Sequence, residues 1–300
     1  MWNEARVLVT GSEGFLGKPL VARLEALGAE VIPFDLAFGD DVTDARSVSD
    51  AVFQAKPTHI FHLAGNSIVD ASAGSPWSSV NVNAFGTLNI LEAARVYIEG
   101  HSLRAVVCSS SNHIYGKQAK HPYREDAQFN HYGAYSVGKI AADYFTHLYA
   151  KEYGVPAVAI RHTNTYGPED IHDSHIVRGT ILSLMAGEQP VIRSEGVTRK
   201  GYLYIDDTVD AYLIAARAPE KNIIALNASS ADSYSAREIV DIVKDVMGSE
   251  AETRIDGVGT NEEDEALDST LILSLGWEQK YYIRSGIKKT VEAMTGLVPA

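Results

Sequence analysis

The chain has 300 residues, 45% of them hydrophobic and 22% charged, which excludes a disordered or collagen-like chain and suits one large α/β unit, with or without a smaller one. Lys and Arg total 26 against 39 Asp and Glu, a formal net charge of −13. A surface that acidic disfavours nucleic acid and anionic membranes as partners, while leaving room for one local basic pocket.

Short β-rich apolar runs alternate with helical stretches from the start. Arg6–Thr10 reads as strand, Gly14–Leu27 as helix and Glu30–Phe34 as strand. Ala45–Gln54 reads as helix, His59–Leu63 as strand and Val80–Tyr97 as a long helix. A strand at Arg104–Cys108, a helix at Tyr135–Tyr153 and a strand at Ala157–His162 follow. Strict alternation predicts a Rossmann-like, doubly wound parallel sheet with helices on both faces, and ligands beyond the carboxyl ends of its strands. After about Gly167 the pattern loosens. Strands are expected at Pro190–Arg193, Leu203–Ile205 and Ile223–Asn227, and helices at Ser174–Ala186 and Ser235–Met247. The reading is a Rossmann-like domain over residues 1–167 and mainly a smaller α/β substrate-binding lobe over 168–300, with the chain allowed to cross back. Glu262-Glu263-Asp264-Glu265 reads as a solvated loop.

No apolar run approaches the roughly 20 residues of a membrane helix. The first six residues lack the basic-then-apolar layout of a secretion signal. Cys108 is the only cysteine, so no intrachain disulfide forms, and its apolar neighbours predict an inert, buried thiol. Together these predict a cytoplasmic protein.

Thr10-Gly11-Ser12-Glu13-Gly14-Phe15-Leu16-Gly17 follows the first strand and opens the first helix. Glycines there permit a tight turn and a close backbone approach to a pyrophosphate, and the helix N-terminus supplies N–H groups and partial positive charge. Asp35, ending the second strand, can accept hydrogen bonds from ribose hydroxyls and would repel a 2′-phosphate. Leu36-Ala37-Phe38 offer no cation for such a phosphate. The predicted cofactor is therefore NAD rather than NADP. Asp41-Val42 stands where an adenine edge could be read, or is an ordinary loop.

Tyr135 and Lys139 are spaced i, i+4, on one helix face. A phenol is a weak base at neutral pH, so the expectation is that the nearby ammonium and an oxidised nicotinamide lower its pKa. The tyrosinate could then take a hydroxyl proton while hydride leaves. Ser109-Ser110-Ser111, at the end of the preceding strand, places a hydroxyl beside the same substrate oxygen.

With these residues the chain resembles the extended short-chain dehydrogenase/reductase family, in particular its nucleotide-sugar epimerases and dehydratases. The resemblance runs over nearly all of the chain. It rests on Thr10–Gly17, on His62-Leu63-Ala64-Gly65, on Asn83-Ala84-Phe85-Gly86-Thr87, and on Ser109–Ser111 with Tyr115-Gly116. It rests further on Tyr135 with Lys139, on Arg161, Asn164 and Tyr166-Gly167-Pro168, and on Leu275-Gly276-Trp277. The resemblance implies Ser111 as the catalytic hydroxyl, Tyr135 as the base and acid, and Lys139 as the residue that holds the ribose and tunes Tyr135. It adds Phe15, Leu16, Leu63 and Ala64 to the cofactor site. It also implies a homodimer built on the helices near Val80–Tyr97 and Tyr135–Tyr153.

On the substrate side the resemblance implies a nucleotide-diphosphate sugar. Asn164 matches a diphosphate-contacting residue, and Arg199 or Lys200 could hold the phosphates. Arg199 is preferred for its forked guanidinium, although the segment carries one residue more than usual between Arg and Ile205. Asn112 and His113 follow Ser111 where the family's 4,6-dehydratases typically have an Asp–Glu pair. Asn112 carries no transferable proton, and His113 could act as a base or simply pack beside the site. An epimerase working through a transient 4-keto sugar is therefore preferred. A 4,6-dehydratase, and a sugar or uronate dehydrogenase or reductase (uronate dehydrogenases being similar in Ser-Ser-Asn-His), are the alternatives. His172-Asp173-Ser174-His175 shows no third or fourth ligand in its spacing, and no metal is expected.

Overall fold

The computed structural model describes residues 2–67, 74–118, 121–257 and 264–296. Six strands form the main sheet: β1 (Arg6–Thr10), β2 (Glu30–Phe34), β3 (His59–His62), β4 (Ala105–Ser109), β5 (Ala157–His162) and, far along the chain, β9 (Ala225–Ala228). Their spatial order is β2-β1-β3-β4-β5-β9, and every pairing is parallel, with Val9 opposite both Pro33 and Phe61. The near-continuous apolar runs of these strands follow from burial on both faces. Val7, Val9, Phe61, Val107, Val158 and Ile160 pack into one core, with α1 (Gly17–Ala26). Leu8, Ile60, Val106, Cys108 and Ala157 alternate with them into a second core, under α2 (Ala45–Ala55), α4 (Gly86–Tyr97) and α5 (Ala134–Glu152). The period-2 pleat thus turns one apolar run into two opposed faces.

The helix expected at Gly14–Leu27 begins only at Gly17, because Gly14–Leu16 are spent in the turn after β1. The long helix expected near Val80–Tyr97 is three segments: α3 (Pro76–Val80), a π-helical turn over Asn81–Phe85, and α4. One-turn π segments frequently mark functional sites, and this one carries Asn83.

The second lobe holds β6 (Asn164–Tyr166), α6 (Ile176–Met185), β7 (Val191–Ile192), β8 (Arg199–Tyr204), β10 (Ser233–Ser235), α8 (Ala236–Met247), β11 (Arg254–Ile255) and α10 (Ile283–Thr295). Its core gathers Tyr166, Ile181, Tyr202, Tyr204, Ile239, Val243 and Ile287. Its strands pair as β10-β8-β6 and β11-β7. Between these pieces the chain crosses back. Val209, Tyr212 and Ala215 of α7 (Ile205–Ala215) enter the first core of the main sheet, as do Ile272 of α9 (Thr270–Ser274) and Trp277. The strand expected near Ile223–Asn227, grouped above with the second lobe, is β9 and pairs with β5, Ile160 opposite Leu226. Ile205, expected to end a strand, instead opens α7.

Candidate active site

Strand order reverses between β2-β1 and β1-β3, so a crevice opens beyond the carboxyl ends of β1 and β3. A cleft of about 1210 Å³ lies there and reaches into the second lobe. Gly11, Gly14, Phe15, Leu16, Gly17, Asp35, Asp41, Val42, Leu63 and Ala64 all line it. Gly11 has φ +68°, and a Cβ there would stand 2.7 Å from the Ala64 nitrogen. A Cβ on Gly17 would stand 2.0 Å from the Gly11 carbonyl oxygen. These two glycines are required by backbone that packs against backbone, which leaves the loop's outer side to the cleft. One Asp35 carboxylate oxygen accepts from the Glu13 N–H at 3.0 Å and the other from the Ala37 N–H at 2.9 Å. The carboxylate thus ties the glycine loop to the end of β2 while lining the cleft. Asp41 accepts from the Thr43 N–H and hydroxyl, both at 2.8 Å. The cradle, with its glycine turn, helix N-terminus and acidic edge, fits NAD.

A directed chain of hydrogen bonds fixes the floor of that cradle. The Thr87 hydroxyl donates to the Asn83 carbonyl at 2.8 Å. His62 Nε2 lies 3.0 Å from the same hydroxyl oxygen and Nδ1 lies 2.7 Å from Thr10 Oγ1. The Ala64 N–H donates to Thr10 Oγ1 at 3.2 Å. With the Thr87 proton committed, Nε2 carries the imidazole proton and Nδ1 accepts from Thr10. Burial holds His62 neutral, its pKa lowered to about 3. The Asn83 side chain continues the floor, accepting from the Asn66 N–H at 2.9 Å and donating to its carbonyl at 3.1 Å.

Ser111, Tyr135 and Lys139 come together at the cleft where β4 ends and α5 begins. All three are buried. Burial raises the Tyr135 phenol, and a hydrogen bond with the Ser111 hydroxyl opposes the rise. Burial also pulls the Lys139 ammonium down to about 8; it donates to the Ser109 carbonyl at 2.9 Å. Among the chain's own groups, burial outweighs the other influences on Tyr135. The i, i+4 spacing continues to Asp143, which is fully buried and takes Arg161 in a two-pronged pair at 2.8 and 3.0 Å. The Ser110 hydroxyl donates to the same carboxylate at 2.7 Å.

Beyond that cluster, Asn112, His113, Asn164, Arg193, Lys200 and Glu265 line the cleft. The preference for Arg199 needs correction. Its guanidinium is tied to Glu238 at 2.8 Å and to the Ser233 carbonyl, and it does not line the cleft, whereas Lys200 does. Neighbours on a strand point to opposite faces, and β8 turns Lys200 inward. Arg193 was not singled out from the sequence. Glu265 was missed because it ends an acidic run read as solvated loop. Glu262 and Glu263 lie outside the described residues, but Glu265 reaches the cleft, where it accepts a hydrogen bond from the Asn112 amide and stands 3.8 Å from His113 Nδ1. The His113 ring meets the Tyr135 ring edge-on, centroids 6.0 Å apart.

His175 is paired with buried Asp170 at 2.7 Å, and His172 stacks edge-on against it at 5.0 Å. No group of three His, Cys, Asp or Glu among the described residues is placed to hold a metal ion. Cys108 lies in the second core, its thiol pushed up to about 12 by burial. His162 also lines the cleft; burial holds it neutral, its pKa lowered to about 4.

Residues 7–227 match the NAD-dependent epimerase/dehydratase family. A UDP-glucose 4-epimerase of Mycolicibacterium smegmatis is 30% identical, the match covering 96% of this chain and 97% of that one. A probable dTDP-glucose 4,6-dehydratase of Sinorhizobium fredii is 26% identical over 96% and 92% of the two chains. The crystal structure of a Thermus thermophilus UDP-glucose 4-epimerase in complex with NAD superposes with a TM-score of 0.87, at 26% identity and covering 97% and 99%. With the parallel sheet, the glycine cradle and the Ser111–Tyr135–Lys139 cluster in place, these matches show that the chain belongs to the NAD-dependent epimerase/dehydratase family.

Proposed function

We propose that this chain is an NAD-dependent nucleotide-sugar 4-epimerase that inverts a sugar carbon through a transient 4-keto intermediate. The observation that carries the reading is the convergence of Ser111, Tyr135 and Lys139 on one cleft with the glycine cradle. NAD, when bound, supplies reversible hydride acceptance at the sugar carbon. Tyr135 takes the hydroxyl proton from that carbon and later returns it. Ser111 hydrogen-bonds the same oxygen, and Lys139 holds the ribose edge. Lys200 and Arg193 are the cations for the diphosphate, in place of Arg199, with Asn164 beside them. Asp35 sets the preference for NAD over NADP.

Asn112 cannot supply a proton for eliminating water, which supports epimerase over 4,6-dehydratase. We further propose a two-fold homodimer. Phe85 and Val96 around α4, and Val137, Tyr144 and Leu148 on α5, are exposed apolar residues at helical spacing. Burying that face against its copy would join two α4–α5 pairs. No described helix is long and apolar enough to cross a membrane. With the thiol of Cys108 reduced and buried, we assign the reaction to the cytoplasm.

The test is to incubate the purified protein with UDP-, GDP-, CDP- and dTDP-sugars and follow products by mass and NMR. A new isomer of unchanged mass is the expected result. Loss of water would mean a dehydratase, stoichiometric NADH a dehydrogenase, and no turnover of any sugar nucleotide would end the reading.

A further inference from the structure

Charges around the cleft divide by place. Glu13, Asp35, Asp40 and Asp41 line the end beside the glycine cradle. Around Ser111 and in the second lobe the charged lining residues are Lys117, Lys139, Arg193, Lys200 and Glu265, so Glu265 is the one carboxylate there among the described residues.

Glu265 is held firmly from both lobes. Its N–H donates to the Arg199 carbonyl at 2.9 Å, and the Arg199 N–H donates to Asp264 Oδ1 at 2.7 Å. Just beyond it, the Tyr123 N–H donates to the Ala266 carbonyl and the Asp268 N–H to the Tyr123 carbonyl, both at 2.8 Å. The side chain is 17% exposed. Its Oε2 accepts from Asn112, and its Oε1 faces His113 at 3.8 Å. Asn112 and His113 directly follow Ser111, so this carboxylate stands beside the sugar end of the cleft rather than its phosphate end.

We propose that Glu265 is a specificity-determining residue of the sugar subsite, admitting a neutral hexose and refusing one that carries a carboxylate. The proposal rests on the nucleotide-sugar reading above. Lysines and an arginine that suit a diphosphate would equally welcome a uronate. Glu265 reverses that preference locally, because a second carboxylate brought within a few ångströms in a partly dehydrated cleft is repelled, while sugar hydroxyls can donate to its oxygens.

The experiment is calorimetric titration of the NAD-loaded protein with UDP-glucose and with UDP-glucuronate, on wild type, Glu265→Gln and Glu265→Asp. Wild type should bind UDP-glucose more tightly by on the order of 10²-fold, the size of one like-charge pair about 6 Å apart at an effective dielectric of about 20. Glu265→Gln should narrow that ratio to within about threefold, and Glu265→Asp, which keeps the charge, should retain most of it. Equal binding of the two sugars by wild type, or an unchanged ratio in Glu265→Gln, overturns the assignment of Glu265 while leaving the nucleotide-sugar reading intact. If neither UDP-sugar binds, the titration is repeated with the hexose and uronate of the nucleotide that the panel above selects, and binding of none of the four sugar nucleotides overturns the nucleotide-sugar reading and this proposal with it. If Glu265→Gln does not fold, Glu265→Ala takes its place, with the same narrowing expected and an unchanged ratio overturning the assignment.

Discussion

Lowering the pH should weaken this fold through His62 in particular, and the loss can be sized. The imidazole is 2% exposed and both ring nitrogens are engaged, Nδ1 by Thr10 and Nε2 by Thr87. Protonating Nδ1 would turn an acceptor into a donor facing Thr10 Oγ1, and the threonine proton would lose its acceptor. Burial, and after it the Lys139 ammonium, lowers the pKa from the ordinary 6.5 of an unfolded chain to about 3 in the folded one. Between those values the unfolded state binds a proton that the folded state does not. Stability from this site is therefore complete above pH 6.5 and is lost progressively as pH falls toward 3. At pH 5 the deficit is about 2 kcal/mol, from about 1.4 kcal/mol per pH unit. The assay is urea unfolding at pH 8 and pH 5 for wild type and for His62→Gln. The variant should be less stable at pH 8, yet its loss between the two pH values should be smaller than wild type's by about 2 kcal/mol. The same pH-dependent loss in both proteins would refute the reasoning and show that His62 does not report the acid limb. His59 and His162, each lowered to about 4 by burial, act in the same direction and should survive in the variant as residual acid sensitivity.

Tyr135→Phe keeps the buried ring and removes the phenolic oxygen, so melting temperature and NAD affinity should hold while turnover on the substrate found by the panel falls by about 10²–10⁴; near-normal turnover would send the search for the base to His113. NADP should bind more weakly than NAD by calorimetry, because Asp35 already spends one lone pair of each oxygen on backbone N–H groups and meets a phosphate with like charge; tighter NADP binding would contradict that. Arg161→Met should lower stability by about 3–5 kcal/mol in urea unfolding, because Asp143 would be left as an unpaired buried charge. Light scattering at micromolar concentration should give a dimer mass, and Tyr144→Lys with Leu148→Lys should shift it toward the monomer.

The cofactor half was readable in the sequence because its determinants are local. A strand, a glycine turn, a helix start and an acid at the next strand end lie within the first 35 residues, and each constrains the next. The i, i+4 spacing of Tyr135 and Lys139 is local in the same sense. What escaped depends on pairing between distant segments. Arg199 and Lys200 are adjacent in the chain, and only the pairing of β8 with β6 and β10 decides which of them faces the cleft. Glu265 is one acid among four until Tyr123 and Arg199 capture its loop. The π-helical turn at Asn81–Phe85 left no mark in the hydrophobic periodicity, yet it places Asn83 across Asn66.

The same logic explains why the residues proposed to react sit on a helix rather than on a loop. Tyr135, Lys139 and Asp143 form one stripe of α5 and are all buried. The first two face the cleft, and the third is gripped by Arg161 from β5 and by Ser110 from the end of β4. Arg161 also donates to the Tyr115 hydroxyl at 2.7 Å, which donates in turn to Asn227 of β9 at 2.7 Å. Asn227 reaches the carbonyls of Tyr123 and Asp268, and the Asp268 N–H is bonded back to Tyr123, three residues beyond Glu265. One continuous polar network therefore runs from the helix that carries Tyr135, through three strand ends, to the segment that carries Glu265. Because buried polar groups are costly to leave unmatched, the network fixes the height of α5 against the sheet and the position of Glu265 together. The crossing of the chain back into the first sheet at β9 is what makes this possible, since Asn227 is the link between the two.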